Sequence, residues 1–176
     1  MGAKTMVSVE QFDLLLEDGE FRYDLDEGEL ITMTRPRARH SLVEGNLYFA
    51  LRTYIEKNPI GKVFNADILC VLGKATKRAP DVSVLLRPLI DPDQEIQGAP
   101  EIVVEILSPS NRHVDLKRKL GQFFAAGCKL AWVVDSSVQT VEVWESATGP
   151  VRVLPKEASL ETELLPGFSC QISKLF

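Results

Sequence analysis

The chain has 176 residues and a net charge of −5, with 45% hydrophobic and 26% charged residues. This composition is that of an ordinary globular protein, and one domain over residues 1–176 is expected. The acidic balance argues against binding nucleic acid by bulk electrostatics, although a local basic patch would still allow it.

Nothing near the N-terminus predicts export or a membrane anchor. The first ten residues contain no apolar signal core, and no apolar run approaches the roughly 20 residues that a membrane helix needs. Cys70, Cys128 and Cys170 are far apart and lie in or beside apolar segments, which favours buried free thiols over disulfides or zinc ligands. We therefore expect a cytoplasmic protein that does not bind membranes.

The hydrophobic pattern predicts three helices and a series of strands. Helices are expected over residues 8–16, from Ser41 to just before Asn58, and over about 115–126. Strands are expected over 21–25, 29–33, 63–72, 82–86, 101–107, 130–135, 140–144 and 151–154, with a polar turn over 73–78. This order predicts an α+β (α/β-like) fold, in which a mixed β-sheet is flanked by helices.

Glu105 is the most informative residue because it lies within the otherwise apolar run from Glu101 to Leu107. The apolar neighbours predict a central strand, with Glu105 on the same face as Val103 and Leu107. An ionised carboxylate in that position costs several kcal/mol unless it is paired or neutralised. Glu105 therefore needs a partner.

Two residues on neighbouring elements can meet this need. Asp81 follows Pro80 at the mouth of the preceding strand, so its carboxylate and that of Glu105 can converge at one end of the sheet. Lys119 lies on the flank of the following helix, from which its ammonium can extend along the apolar stripe towards Glu105. Lys117 is the second choice.

Two acids and a lysine have two interpretations. Mg²⁺ (or Mn²⁺) prefers oxygen ligands, is usually held by one or two carboxylates, and can activate water for attack on a phosphodiester. Alternatively, the three residues serve structure alone, with Asp81 starting a strand and Glu105 in an internal ion pair. Asp115 and Lys119 would also suit a weak surface pair at i, i+4 spacing.

Four segments carry a family resemblance: Ala79–Asp81, Gly98–Arg112, Asp115–Leu120 and Ala126–Asp135. They resemble the Uma-type restriction-endonuclease-like family, which is widespread in bacteria and placed in the PD-(D/E)XK nuclease superfamily. The resemblance covers most of the chain. It implies a restriction-endonuclease-like core, with Asp81 and Glu105 as the acids that bind Mg²⁺.

The chain departs from the superfamily pattern at two positions. Leu107 stands where the E-x-K motif has its lysine, and the resemblance implies that Lys119 of the following helix replaces it. Asp24 stands where the family more often has Glu in a Tyr-Glu-Leu pattern.

Several further residues have a functional and a structural interpretation each. His40 is a candidate proton carrier or phosphate contact, or a structural histidine; Glu44 is a candidate extra carboxylate, or part of a solvated helix face. Asp67 is a candidate metal ligand, or part of a strand-edge turn. Basic residues cluster near these segments: Arg35, Arg37, Arg39, Lys74, Lys77, Arg78, Arg112, Lys117, Arg118 and Lys119.

The resulting prediction is a metal-dependent endonuclease that hydrolyses phosphodiester bonds in DNA, with Asp81, Glu105 and Lys119 as catalytic residues. One alternative is a catalytically silent binding or assembly module in which Glu105 and Lys119 form a structural ion pair. Another is a phosphodiesterase that acts on RNA or another phosphoester, with the same site. The strand-rich C-terminal segments also favour a homodimer.

Overall fold

The structure, a computed structural model, describes residues 6–17, 22–33, 36–66, 68–88, 93, 95–107 and 113–176. Its helices are α1 (Val9–Glu17), α2 (Ala38–Lys57) and α3 (His113–Ala125), and a 3₁₀ turn spans Ile172–Leu175. The strands are β1 (Arg22–Asp26), β2 (Glu29–Met33), β3 (Lys62–Asn65), β4 (Cys70–Gly73), β5 (Thr76–Arg78), β6 (Val82–Leu85), β7 (Ile96–Gln97), β8 (Ile102–Ile106), β9 (Leu130–Asp135), β10 (Thr140–Trp144), β11 (Arg152–Pro155), β12 (Ser159–Leu160) and β13 (Cys170–Gln171). The fold is the predicted mixed α+β arrangement.

A six-stranded sheet forms the centre of the molecule, in the order β11-β10-β9-β8-β6-β3. Strands β8 and β9 run parallel and the other neighbours are antiparallel. Every residue of β8 is buried, as expected of a strand covered on both faces. Helix α2 packs on the face that carries Val104, and α3 packs on the face that carries Val103. Glu105 alternates onto the α3 face.

A smaller five-stranded sheet, in the order β2-β1-β5-β4-β7, carries α1 and supplies several charged residues. Strand β5 belongs to this small sheet and β6 to the large one. The chain therefore crosses from one sheet to the other over residues 79–81, and the predicted metal ligand Asp81 is the last residue of this crossing.

Two sequence predictions in this region were wrong. The strand predicted over 63–72 is divided between β3 of the large sheet and β4 of the small sheet, because the chain leaves β3 after Asn65. The predicted polar turn over 73–78 contains β5, whose three residues are all buried. Lys77 and Arg78 are buried there through ion pairs that local composition does not reveal.

Other predictions were confirmed or moved by a few residues. Ser8 caps α1 through reciprocal hydrogen bonds with Gln11. Helix α2 begins at Ala38 rather than Ser41, which places His40 in its first turn. The three cysteines are buried free thiols. Among the described residues, no helix is both long and apolar enough to cross a bilayer.

A pair of glycine substitutions tests the packing of β3 beside β6. A Cβ on Gly61 would clash with the carbonyl oxygen of Leu85, so Gly61→Ala should lower the free energy of unfolding by about 1–3 kcal/mol. Gly45 lies within α2, and a Cβ added there would meet no neighbour. Gly45→Ala should therefore raise the free energy of unfolding by about 0.5–1 kcal/mol. Urea unfolding of both variants measures these changes. Equal effects of the two substitutions would contradict the packing.

Candidate active site

Glu105 lies in the middle of the central strand β8 with only 3% of its surface exposed. Its face of the sheet also carries Val103 and is covered by α3. The partner that the sequence requires is present. The ammonium of Lys119 lies 2.8 Å from Oε1 and 2.9 Å from Oε2 of Glu105.

Helix α3 aims Lys119 at this carboxylate because its apolar side packs against the sheet. Leu116, Leu120 and Phe123 are buried, and Lys119 next to them is 9% exposed. Besides Glu105, the Lys119 ammonium donates to the Ala79 carbonyl at 2.9 Å and lies 4.0 Å from Asp24 Oδ2. The structure thus brings Lys119 to Glu105 as the helical spacing predicted.

Asp81 lies beside Glu105 because two hydrogen bonds, one donated by its backbone and one accepted by its carboxylate, attach it to the residues on either side of Glu105. The Asp81 N–H donates to the Val104 carbonyl at 3.1 Å, and the Ile106 N–H donates to Asp81 Oδ2 at 2.6 Å. Unlike Glu105, Asp81 keeps 20% of its side chain exposed, so one acid of the pair is accessible to solvent.

His40 joins the site from the first turn of α2. Its Nε2 lies 3.3 Å from Asp81 Oδ2, and its Nδ1 lies 3.8 Å from Glu44 Oε2. The hydrogen bond with Asp81 raises the pKa of His40; burial opposes this, and the charges of Asp81 and Glu44 add to it. His40 therefore lies within the acidic cluster.

A surface cleft opens beside this cluster. It has a volume of about 320 Å³ and is lined by Pro36, Ser41, Glu44, Gly45, Tyr48, Asn65 and Ala66. Glu44 connects the cleft to His40, and through His40 to Asp81. Asn65 ends β3 and pairs with Val82, the residue that follows Asp81. The cleft therefore lies next to the cluster, on the side of Glu44.

Acidic groups outnumber basic ones around Glu105, and the pKa values reflect this. Burial, aided by the charges of Asp81 and Asp24, raises the pKa of Glu105 to about 7 although Lys119 opposes it. Burial alone would lower the pKa of Lys119, but the charges of Glu105, Asp24 and Asp81 outweigh it and hold the pKa above its ordinary value. The surrounding carboxylates thus help to raise both pKa values, that of Glu105 and that of Lys119.

This arrangement fits a divalent cation. Glu105 Oε1 is buried and accepts no well-aligned hydrogen bond, even though the Lys119 ammonium is close to it. Such an oxygen has a free lone pair next to a second carboxylate, that of Asp81. The described residues contain no group of three or more His, Cys, Asp or Glu that could hold a metal ion. A two-carboxylate site is still adequate for Mg²⁺, which keeps several waters.

Other predicted residues have different outcomes. Asp67, Arg35 and Arg112 lie outside the described residues. Lys117 is exposed on α3, and Lys119 pairs with Glu105 rather than with Asp115. The chemical roles proposed for the site residues, including Lys117, stay predictions.

Two further buried acids, to which the sequence analysis gave no catalytic role, lie on β1 next to the site. Asp24 and Asp26 of β1 are 1% and 5% exposed and both pair with Arg78. Their spacing of two residues along one strand was the available signal, because it puts both carboxylates on one face. Arg118 is exposed on α3 and pairs with Asp26 and Glu27.

The raised pKa of Glu105 predicts that the protein loses stability as the pH rises. In the unfolded chain Glu105 ionises near 4.5, whereas the folded protein keeps its proton up to about pH 7. The folded state therefore binds more protons within this window, and stability falls as pH increases. The raised pKa of His40 acts in the same direction above 6.5.

Urea unfolding in a chelator should show a decrease on the order of 2–3 kcal/mol between about pH 5 and pH 8. Glu105→Gln should remove most of this decrease. Equal slopes for the wild type and the variant would mean that Glu105 stays ionised throughout, as a simple ion pair requires.

Comparisons with known proteins agree with this fold. Residues 9–173 match the sequence model of the Uma2 family, described as "Putative restriction endonuclease". No curated protein matches the chain. The crystal structure of a protein from Anabaena variabilis ATCC 29413, described as "a putative nuclease belonging to DUF820", is similar, with a TM-score of 0.82, 22% identity and 97% of each chain covered. Since the family match spans nearly all of its length, the chain belongs to the Uma2 restriction-endonuclease-like family, which supports a nuclease.

Proposed function

We propose that this protein is a metal-dependent endonuclease that hydrolyses phosphodiester bonds in DNA. The observation that carries the proposal is the buried contact between Glu105 and Lys119, made next to Asp81. It supplies the two acids and the lysine of a nuclease site, with the lysine coming from α3 instead of from the strand. Family membership and the adjoining cleft add support.

Asp81 and Glu105 would hold Mg²⁺ or Mn²⁺, which supplies Lewis-acid stabilisation of the phosphate and a more acidic bound water. Lys119 would act as a fixed positive charge and hydrogen-bond donor to the attacking water or the phosphate. It does not act as a base, because the surrounding carboxylates hold its pKa above the ordinary value and keep it protonated. His40 would fix the orientation of Asp81 and serve as a proton carrier at the cleft.

Contacts with the nucleic-acid backbone would come from a small number of basic residues. Lys77 and Arg78 are committed to internal ion pairs, whereas Arg37 and Arg39 are exposed at the start of α2, near His40. With a net charge of −5, the protein would rely on such local contacts. A homodimer, which would provide one site for each DNA strand, is part of the proposal.

A second candidate function is a catalytically silent binding module that retains the nuclease fold. The observation that favours it is that Lys119 already has Glu105 and the Ala79 carbonyl as partners without any metal. In that case the ion pair serves stability alone. If the substrate is RNA or another phosphoester, the site residues would be the same and only the molecule in the cleft would differ.

Mn²⁺ titration by calorimetry distinguishes the nuclease from the silent module. Wild type should bind Mn²⁺ and cleave DNA in the same buffer, and Asp81→Asn and Glu105→Gln should lose both while remaining folded. If the pair is structural, Glu105→Gln should mainly change stability, by roughly 3–5 kcal/mol. Absence of Mn²⁺ binding by wild type, even with DNA present, would reject the enzymatic proposal. Parallel DNA and RNA substrates identify the nucleic acid.

Lys119→Met tests the role of the lysine, and Lys117→Met is its matched control because Lys117 is exposed on the same helix. Lys119→Met should retain Mn²⁺ binding, and its rate of cleavage should fall by about 100-fold or more, as expected when a hydrogen-bond donor to the transition state is removed. It should also lower stability, because Glu105 loses its partner. Lys117→Met should leave binding, cleavage and stability close to wild type. Equal losses of cleavage in both variants would contradict the assignment.

A further inference from the structure

A third carboxylate, that of Asp24, contacts the site from the small sheet. It is 1% exposed on β1, and it is neither of the two acids proposed to hold the metal. A buried carboxylate is costly unless its contacts compensate, so the contacts of Asp24 indicate what it does.

Asp24 holds the chain where it crosses between the two sheets. Its Oδ1 accepts a hydrogen bond from the Ala79 N–H at 3.2 Å, and its Oδ2 lies 3.5 Å from Arg78 Nη1 and 4.0 Å from Lys119 Nζ. The Ala79 carbonyl in turn accepts a hydrogen bond from the Lys119 ammonium at 2.9 Å. The Asp24 carboxylate thus contacts both the Ala79 N–H and the Lys119 ammonium, which itself donates to the Ala79 carbonyl.

The position of Ala79 determines what these contacts can influence. Ala79 is two residues before Asp81, and only Pro80, with its restricted backbone, stands between them. A shift of Ala79 would therefore move Asp81 on one side and the carbonyl that holds Lys119 on the other. Both are elements of the proposed active site.

We propose that Asp24 is a positioning residue for the nuclease reaction, which holds Ala79 and Lys119 so that Asp81 and Lys119 keep fixed positions relative to Glu105. This inference rests on the proposed function. Asp24 acts through these neighbours and contacts neither the substrate nor the metal.

Asp26 provides a matched control. It lies two residues further along β1, is similarly buried at 5% exposed, and pairs with the same Arg78 at 2.7 Å. Its other contacts are with Arg118 and Gln122, and among the described residues it makes none with Ala79 or Lys119. Substitution of either acid by Asn removes one buried charge next to Arg78. Only Asp24→Asn also removes a negative charge beside the Lys119 ammonium and replaces the side chain that holds Ala79.

The test compares kcat, KM and Mn²⁺ affinity of Asp24→Asn and Asp26→Asn at a temperature where both are folded. Asp24→Asn should lower kcat by about 10- to 100-fold, as expected when reacting groups are misplaced, with KM and Mn²⁺ affinity within about threefold of wild type. Asp26→Asn should keep kcat within about threefold. If both variants keep the wild-type kcat, or both lose it equally, Asp24 has only a structural role and the inference is overturned.

A double-mutant cycle measures the same contact without any cleavage assay. Urea unfolding of Asp24→Asn, Lys119→Met and the double variant should show non-additive losses, whereas the cycle of Asp26→Asn with Lys119→Met should be close to additive. Additivity in both cycles, or an Asp24→Asn chain that fails to fold in either background, would overturn the inference. If wild type cleaves nothing while the Asp24 cycle is non-additive, the proposed function fails and the Asp24–Lys119 contact stands.

Discussion

The structure depends on the burial of one carboxylate, that of Glu105, in the central strand of an otherwise apolar sheet. Once water is excluded, the charge must be balanced by neighbouring groups or neutralised by a proton. Lys119 supplies one positive charge, but Asp81 and Asp24 add more negative charge than Lys119 balances. The raised pKa of Glu105 follows first from its desolvation and then from this imbalance.

The same requirement determines how the two sheets are joined. Between β5 and β6 the chain passes directly beside Lys119, and the Ala79 carbonyl is one of the groups that hold its ammonium. Arg78 pairs with both acids of β1, and Gln122 of α3 connects Arg78 with Asp26. Charged residues of the small sheet, which look solvated in the sequence, therefore support the site in the large one.

The contact between Glu105 and Lys119 is common to the nuclease and to the silent module, so it does not by itself distinguish them. What favours the nuclease is the surroundings of the pair. A structural ion pair is most stable when its charges balance, yet this pair lies among further carboxylates, those of Asp81 and Asp24. His40, which contacts Asp81, also lies 3.8 Å from Glu44, and Glu44 lines a surface cleft.

The sequence by itself determined the fold class, the family, the buried strand around Glu105 and the helix that presents Lys119. Those features follow from local apolar periodicity, which is strong in β8 and α3, and from motifs within residues 79–135. The meeting of Lys119 with Glu105 was also predictable, because the two elements are consecutive and a helix has a fixed angular period.

Only the tertiary structure decided the division of residues 63–72 between two sheets, the burial of β5, and the place of Asp24 in the cluster. Residues 63–72 are divided because the chain leaves β3 after Asn65 and joins the small sheet at β4. Lys77, Arg78 and Asp24 are charged, and local sequence assigns charged residues to the surface. They are buried because partners up to 64 positions away neutralise them, and such pairings exist only after α1, β1 and β5 have come together in the small sheet.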